Sequence, residues 1–388
     1  MMTVLEGSQA VAEAVKLSRV KVVSAYPITP QTHIVEELAK ACADGSMDGR
    51  FICVESEHSA MASVIGSESG GARSFTASSS HGLALMHEML HWASASRLPL
   101  VMCEVNRALG PGWNLWLDQT DSLAQRDTGW IQLYCADGQE ALDTTIIAYR
   151  LAEAVNLPVM VVMDAFFLSH TYEPVDLPSQ DEVDRFLPAF KPKFLLDTKE
   201  PYALGEVAPP GVYMEMRRSI QLAMEAVPEA LSLAEGEFRG IFSRSYGPFE
   251  AYRCEDADIV LVMAGTTAGT CRAVVDGLRE KGERVGLLRL RLFRPFPTRA
   301  LRSALGGARK VAVLDRNCSF GVGGIFAQEL RAALYGSSGS PSVYSYVAGL
   351  GGRDVTPGLL ENMYRLTRET EAPSLESVWL GLREELLK

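Results

Sequence analysis

No C-x-x-C spacing occurs among the seven cysteines, at 42, 53, 103, 135, 254, 271 and 318, which excludes a zinc ribbon or an iron–sulfur ligand run encoded in this chain. No window holds the ~18 uninterrupted apolar residues that a membrane helix requires. Positive charge is in the minority. Lys and Arg number 37 against 48 Asp and Glu, a formal net charge of -11, whereas a nucleic-acid surface needs clustered Lys and Arg. There is no Walker-type phosphate loop and no complete G-x-G-x-x-G after a strand. No serine has evident His and acid partners for a hydrolase triad. The first residues, Met1-Met2-Thr3-Val4-Leu5-Glu6, lack a basic patch followed by an apolar core, so no export signal is expected. The scattered cysteines read as reduced, mostly buried thiols. A cytoplasmic place is expected, with neither nucleic acid nor membrane as a partner.

What the chain does hold is apolar mass. Hydrophobic residues make up 47% and charged residues 22% of 388, the profile of a globular protein with large cores, and the length predicts two or three domains. From residue 6 to about 168, short apolar runs at 20–24, 51–54, 98–102 and 157–163 alternate with amphipathic stretches at 32–43, 58–69, 82–96 and 138–155. Parallel strands covered by helices on both faces read as continuous hydrophobic runs of this kind. The rhythm stops at 170–212, where prolines at 174, 178, 188, 192, 201, 209 and 210 predict an extended linker on a surface. A helix is expected at about 214–237. Alternation then resumes, with strands at 258–264, 284–292, 310–314 and 342–347, helices at 268–280 and 322–335, and a broken helical segment at 358–387. The expected fold is α/β: a parallel-sheet domain over 1–168, a linker and connecting helix over 169–250, and a smaller α/β domain over 251–388.

Four polar segments follow apolar strands, where the ligands of open parallel sheets collect. In Tyr26-Pro27-Ile28-Thr29-Pro30-Gln31-Thr32 two prolines fix the backbone and Thr29 offers a hydroxyl. The same residues suit a strand-to-helix turn capped by Thr29 or Thr32. In Glu55-Ser56-Glu57-His58, Glu57 is either a functional carboxylate or a first-turn acid favoured by the helix dipole. In Ser78-Ser79-Ser80-His81-Gly82, the glycine permits close approach of a ligand or neighbour. His81 suits proton transfer near neutral pH, or a structural hydrogen bond. In the 106–121 segment, Arg107 at a strand's carboxyl end is suited to fork onto a carboxylate, or to pair with Asp118 or Asp121. Its loop is long for a compact domain, which favours function. Gly321-Val322-Gly323-Gly324 opens a helix, where backbone N–H groups suit an anion or a packed interface.

Taken in order, these segments resemble the α subunit of pyruvate:ferredoxin oxidoreductase and related 2-oxoacid:ferredoxin oxidoreductases. The matching elements are Tyr-Pro-Ile-Thr-Pro at 26–30, Glu57, Gly71-Ala72-Arg73 leading to 79–86, Asn106-Arg107-Ala108-Leu109 and the run from Arg126 to Tyr134. The second half adds 311–317 and 348–356, so the likeness spans nearly the whole chain. It implies that 1–168 is a thiamine-diphosphate-binding domain of the pyrimidine type and that the second α/β domain is transketolase-C-like. Glu57 is then the carboxylate that hydrogen-bonds the cofactor's pyrimidine, favouring the imino tautomer that removes the thiazolium C2 proton. Thr29 and Arg107 become contacts to the substrate carboxylate, and Pro27, Ile28, Ser80 and His81 line the cofactor. No metal ligand is implied in this chain.

The chain lacks a Gly-Asp-Gly…Asn run for magnesium and diphosphate. The resemblance therefore implies a β-type subunit supplying that half-site with Mg2+. It also implies γ-type and ferredoxin-like δ-type subunits carrying iron–sulfur clusters, an electron-acceptor protein, and coenzyme A as co-substrate. The implied reaction is oxidative decarboxylation of a 2-oxoacid to an acyl-CoA and carbon dioxide. Gly110-Pro111-Gly112-Trp113 after the arginine, and His81, His87 and His91 with Trp92, depart from what a pyruvate enzyme leads one to expect. They leave the substrate open between pyruvate and a larger or aryl 2-oxoacid such as phenylglyoxylate. Two other readings compete, a non-catalytic scaffold subunit and a transketolase-like transferase. A scaffold keeps full activity as Glu57→Gln, and a transferase reduces no low-potential acceptor.

Overall fold

The structure, a computed structural model, describes all of residues 1–388 except Tyr202, Ser338 and Lys388. The apolar runs of the first half build a seven-stranded sheet. From edge to edge it consists of Leu292–Arg294, Ile131–Tyr134, Val159–Asp164, Val101–Asn106, Ser74–Ser78, Val22–Ala25 and Arg50–Cys53. Every pair is parallel except the first, where Leu292–Arg294 runs antiparallel to Ile131–Tyr134. Val101–Asn106 and Val159–Asp164 are buried along their whole length, as strands covered on both faces must be. Successive side chains divide between the two faces. Val101, Cys103 and Val105 join the core beneath helices Gly7–Leu17 and Gly138–Val155, while Met102, Met160 and Val162 pack with Met61 and Leu90 of helices Glu57–Ser69 and His87–Ala95.

The second half forms a six-stranded sheet in the order Val378–Trp379, Ser342–Val347, Lys310–Asp315, Ile259–Ala264, Val285–Leu290, Phe249–Tyr252. Only the last of these is antiparallel to its neighbour. Val260, Val262, Leu288 and Phe326 of this half share one continuous core with Met61, Leu90 and Trp130 of the first. Leu292–Arg294 leaves the second sheet to pair with the first, so backbone hydrogen bonds as well as apolar contact join the halves.

The 170–212 stretch holds more order than an extended linker. Tyr172–Asp176 pairs antiparallel with Met2–Glu6, an isolated two-stranded ribbon in which Pro174 is tolerable because each strand has a free edge. Gln180–Phe186 is a helix opened by a Ser179/Glu182 capping box, a local signal that the prolines around it masked. The connecting helix runs Pro210–Phe242, longer at both ends than its apolar pattern, and carries Pro228 inside. The amphipathic stretch at 82–96 is two helices, Ser80–Leu85 and His87–Ala95, meeting at Met86. After helix Pro357–Glu369 the described residues form only the short strand Val378–Trp379 and a single 3-10 turn at Glu384–Leu386. No helix among the described residues is long and apolar enough to cross a membrane.

Candidate active site

From Val22–Ala25 the chain goes to Arg50–Cys53 on one flank and then to Ser74–Ser78 on the other. Such a reversal of strand order opens a crevice at the carboxyl ends of the strands. All four polar segments leave from these ends.

Glu57 is the first residue of helix Glu57–Ser69, whose N-cap Ser56 accepts from the Ser59 N–H. The cap and the acid serve different purposes. Ser56 satisfies the helix end, and the Glu57 side chain turns inward, only 6% exposed. Among the described residues its carboxylate has no hydrogen-bond partner. It lies against Gly82, where an added Cβ would sit 2.5 Å from Glu57 Oε1 and 2.7 Å from Ser78 Oγ. A side chain at 82 would occupy the carboxylate's place. The Ser78 hydroxyl beside it is buried without a partner among the described residues. A carboxylate with open acceptor sites in a crevice suits a nitrogen heterocycle that presents a donor, so these residues fit the pyrimidine of thiamine diphosphate.

Arg107 follows strand Val101–Asn106 and is only 3% exposed. It pairs with neither Asp118 nor Asp121 through its side chain. Nη1 donates to the Thr29 carbonyl at 2.9 Å and Nε to the Asn114 carbonyl at 3.3 Å, leaving Nη2 without a partner among the described residues. Burial lowers the guanidinium's pKa from its ordinary value while Asp121 opposes the shift. Trp113, the most exposed tryptophan, stands over it at 5.7 Å. The Arg107–Thr29 bond brings two of the expected site residues together across the crevice. Thr29 and Pro27 are exposed there and Ile28 is half-buried.

Ser80 and His81 are fully engaged within the protein. The Ser80 hydroxyl donates to the Ala108 carbonyl at 2.6 Å, and His81 Nδ1 lies 3.1 Å from Ser80 Oγ. His81 Nε2 accepts from the Gly110 N–H at 2.8 Å. With Nε2 an acceptor and the serine's proton committed elsewhere, the imidazole proton sits on Nδ1. These two residues shape the loop with their polar atoms already used. The glycine cluster at 321–324 behaves likewise. The N–H groups of Phe326 and Ala327, at the start of helix Ile325–Leu334, donate to buried Asp315 at 2.7 and 3.2 Å, so an internal carboxylate occupies that helix end.

Three acids have roles here that no sequence pattern signalled. Asp121, from the one-turn helix Thr120–Leu123, accepts from the backbone N–H of Ser80 at 2.9 Å and of Arg107 at 2.8 Å. Glu104 lies beneath it with no exposure. An acid within an apolar strand gives no pattern signal, and Asp121 in a loop reads only as an ion-pair partner for Arg107. Asp164, ending the strand Val159–Asp164, accepts from Gln119 Nε2 at 3.1 Å and from the Thr266 N–H at 2.8 Å and hydroxyl at 2.6 Å. It fixes the second half of the chain beside this edge. No group of three or more His, Cys, Asp or Glu among the described residues is arranged to hold a metal.

Comparison with known proteins agrees with this geometry. Residues 13–235 match the model of the pyruvate flavodoxin/ferredoxin oxidoreductase thiamine-diphosphate-binding domain, and 257–360 match core domain II of pyruvate:ferredoxin oxidoreductase. The pyruvate synthase subunit PorA of Methanothermobacter thermautotrophicus is 49% identical over 387 residues, 99% of each chain. The ketoisovalerate oxidoreductase subunit VorA of Pyrococcus horikoshii is 49% identical over 355 residues, 91% of this chain and 90% of that one. Among solved structures, the 2-oxoglutarate:ferredoxin oxidoreductase of Magnetococcus marinus superposes with a TM-score of 0.75 at 23% identity, covering 94% of this chain and 65% of its own. A split-gene transketolase gives 0.56 at 12% identity, covering 94% and 98%. The last two share the fold. The chain belongs to the pyruvate flavodoxin/ferredoxin oxidoreductase family, as a subunit that joins the thiamine-diphosphate-binding domain to core domain II in a multisubunit 2-oxoacid oxidoreductase.

Proposed function

We propose that this subunit provides the cofactor-activating and carboxylate-holding half of an active site that oxidatively decarboxylates a 2-oxoacid of pyruvate to 2-oxoisovalerate size. The observation that carries the reading is the inward-turned Glu57 side chain, 6% exposed, pressed on Gly82 and without a hydrogen-bond partner among the described residues. Glu57 holds a pyrimidine ring nitrogen, and Pro27 and Ile28 border the ring. Ser80 and His81 act on the cofactor through the shape of their loop. When bound, thiamine diphosphate supplies a carbon nucleophile and a sink for the electrons of decarboxylation. Arg107, its Nη2 available and its position fixed by the Thr29 carbonyl, binds the 2-oxoacid carboxylate, and the Thr29 hydroxyl adds a second contact. Holding the carboxylate orients the oxo carbon for attack, where positioning contributes most.

The remaining parts belong to other chains in this reading. A β-type subunit brings the diphosphate and Mg2+ half-site, and γ-type and ferredoxin-like δ-type subunits carry electrons through iron–sulfur clusters to a ferredoxin-type acceptor. Coenzyme A takes the acyl group. The Magnetococcus enzyme, of the same fold, is described with coenzyme A and succinyl-CoA bound, which supports that assignment. The division at 168 and 251 and a cytoplasmic place belong to the same proposal. Because relatives acting on pyruvate and on ketoisovalerate are equally identical to this chain, a panel of 2-oxoacids including phenylglyoxylate decides the side chain accepted.

Glu57→Gln in the assembled complex tests the reading. The 2-oxoacid-dependent reduction of viologen is expected to fall by roughly 10²- to 10⁴-fold, the range of a proton-transfer contribution, with complex assembly unchanged. Full retention of activity would reduce the subunit to a scaffold.

A further inference from the structure

We propose that Asp121 positions Arg107, by clamping together the loops that leave two adjacent strands. The proposal rests on the reading of Arg107 as the carboxylate-binding residue. Strands Ser74–Ser78 and Val101–Asn106 are parallel neighbours, and the Ser80 and Arg107 loops emerge side by side from their carboxyl ends. Nothing in the sheet ladder fixes these loops relative to each other. Asp121 does. Its Oδ2 accepts from the Ser80 N–H at 2.9 Å and the Arg107 N–H at 2.8 Å. Its Oδ1 accepts from Asn106 Nδ2 at 2.7 Å and the Ser122 N–H at 2.8 Å. A second tie, from the Ser80 hydroxyl to the Ala108 carbonyl, runs between the same loops.

Ser80 stands at φ +50°, in the left-handed region that a residue with a side chain adopts only when its surroundings impose it. The bond from its N–H to Asp121 helps to hold it there. Four donors on one carboxylate are stiffer than the same bonds to a neutral acceptor, since charge-assisted hydrogen bonds are roughly twice as strong.

Glu104 lies in the same buried place with no exposure, and neither of its oxygens has a hydrogen-bond partner among the described residues. Burial pushes its carboxyl well above the usual carboxylate range, the neighbouring Asp121 adding to the rise.

Substitutions separate this arrangement from mere packing. In Asp121→Asn the amide keeps one oxygen and turns an NH2 towards two N–H donors, so one side of the clamp is lost. Ser80→Ala removes the second tie, the hydroxyl to the Ala108 carbonyl. In the assembled complex, assayed by viologen reduction with pyruvate and 2-oxoisovalerate, Asp121→Asn is expected to raise KM at least tenfold with a smaller change in kcat. Ser80→Ala raises KM at least threefold. If Asp121→Asn does not assemble, Ser80→Ala decides. An unchanged KM in an assembled Asp121→Asn complex, or in Ser80→Ala where Asp121→Asn does not assemble, overturns the proposal. Arg107→Lys is measured alongside. If it leaves KM unchanged, the carboxylate-binding reading of Arg107 fails, and this proposal with it. If it raises KM while Asp121→Asn does not, the positioning role alone is wrong.

Discussion

At position 82 the requirement for glycine comes from a neighbour's side chain. Gly82 lies in helix Ser80–Leu85 without a positive φ, so the backbone accepts alanine and intrinsic helix propensity favours it by about 1 kcal/mol. The obstacle is the Glu57 carboxylate, 2.5 Å from the Cβ that alanine would add. Gly82→Ala is therefore expected to lower 2-oxoacid oxidation by roughly 10²-fold, by displacing the carboxylate proposed to hold the cofactor. The cost in stability should be no more than about 1–3 kcal/mol of overpacking. Steady-state assay and thermal melting of the same preparation check this, and activity within twofold of wild type would show that the carboxylate's position is not critical.

Among the elements, helix Ile325–Leu334 shows an acid used as an internal cap. Asp315 ends strand Lys310–Asp315 with no exposure and accepts from Asn317 Nδ2 at 2.9 Å as well as from the Phe326 and Ala327 N–H groups. Desolvation outweighs these bonds and raises its pKa to about 6. A carboxyl whose folded value lies above its unfolded one binds protons more tightly in the native state. Its contribution to stability is complete below the ordinary carboxylate range and is lost as pH rises through about 6. Two units correspond to about 3 kcal/mol. Asp315→Asn cannot titrate, so the change in unfolding free energy between pH 4.5 and pH 7 should differ from wild type by about 2 kcal/mol, the variant losing less on the alkaline side. Urea denaturation at both values measures it, and parallel curves for the two proteins would refute the assignment.

Over the whole molecule, the two sheets are held by a buried ion network as well as by a shared core. Glu140, on helix Gly138–Val155 of the first half, meets Arg289 at 2.8 Å and Arg291 at 3.0 Å from the second. Arg291, itself without exposure, continues to Glu235 of the long connecting helix at 2.8 Å and to the Thr144 hydroxyl at 2.9 Å. Replacing such a network with apolar residues is often neutral, but removing one partner strands a buried charge and costs about 3–5 kcal/mol. Glu140→Gln, which leaves two arginines facing an amide, is expected to lose that much in chemical denaturation. A loss below about 1 kcal/mol would mean that water or rearrangement compensates the arginines.

The sequence by itself determined the α/β class, the parallel central strands, helix Gly138–Val155 to the residue, and the family. Each of these rests on local signals: period-2 and period-3.6 burial, capping, and segments whose order along the chain carries the likeness. It also placed Glu57, Thr29 and Arg107 at strand ends, where ligands of such sheets gather, and the family resemblance gave them their expected roles. Pairing over long sequence distance was beyond it. The ribbon between Met2–Glu6 and Tyr172–Asp176, the crossing of Leu292–Arg294 to the first sheet, and the packing of Gly82 on Glu57 each depend on which distant segment arrives as neighbour. Tertiary structure alone decided that Ser80 and His81 spend their polar atoms on their own loop and that Asp121, an ordinary loop acid in one dimension, holds two strand ends at once. The physical reason is that hydrogen bonding and desolvation are set by what surrounds a group in space, and a chain of letters specifies those surroundings only once it has folded.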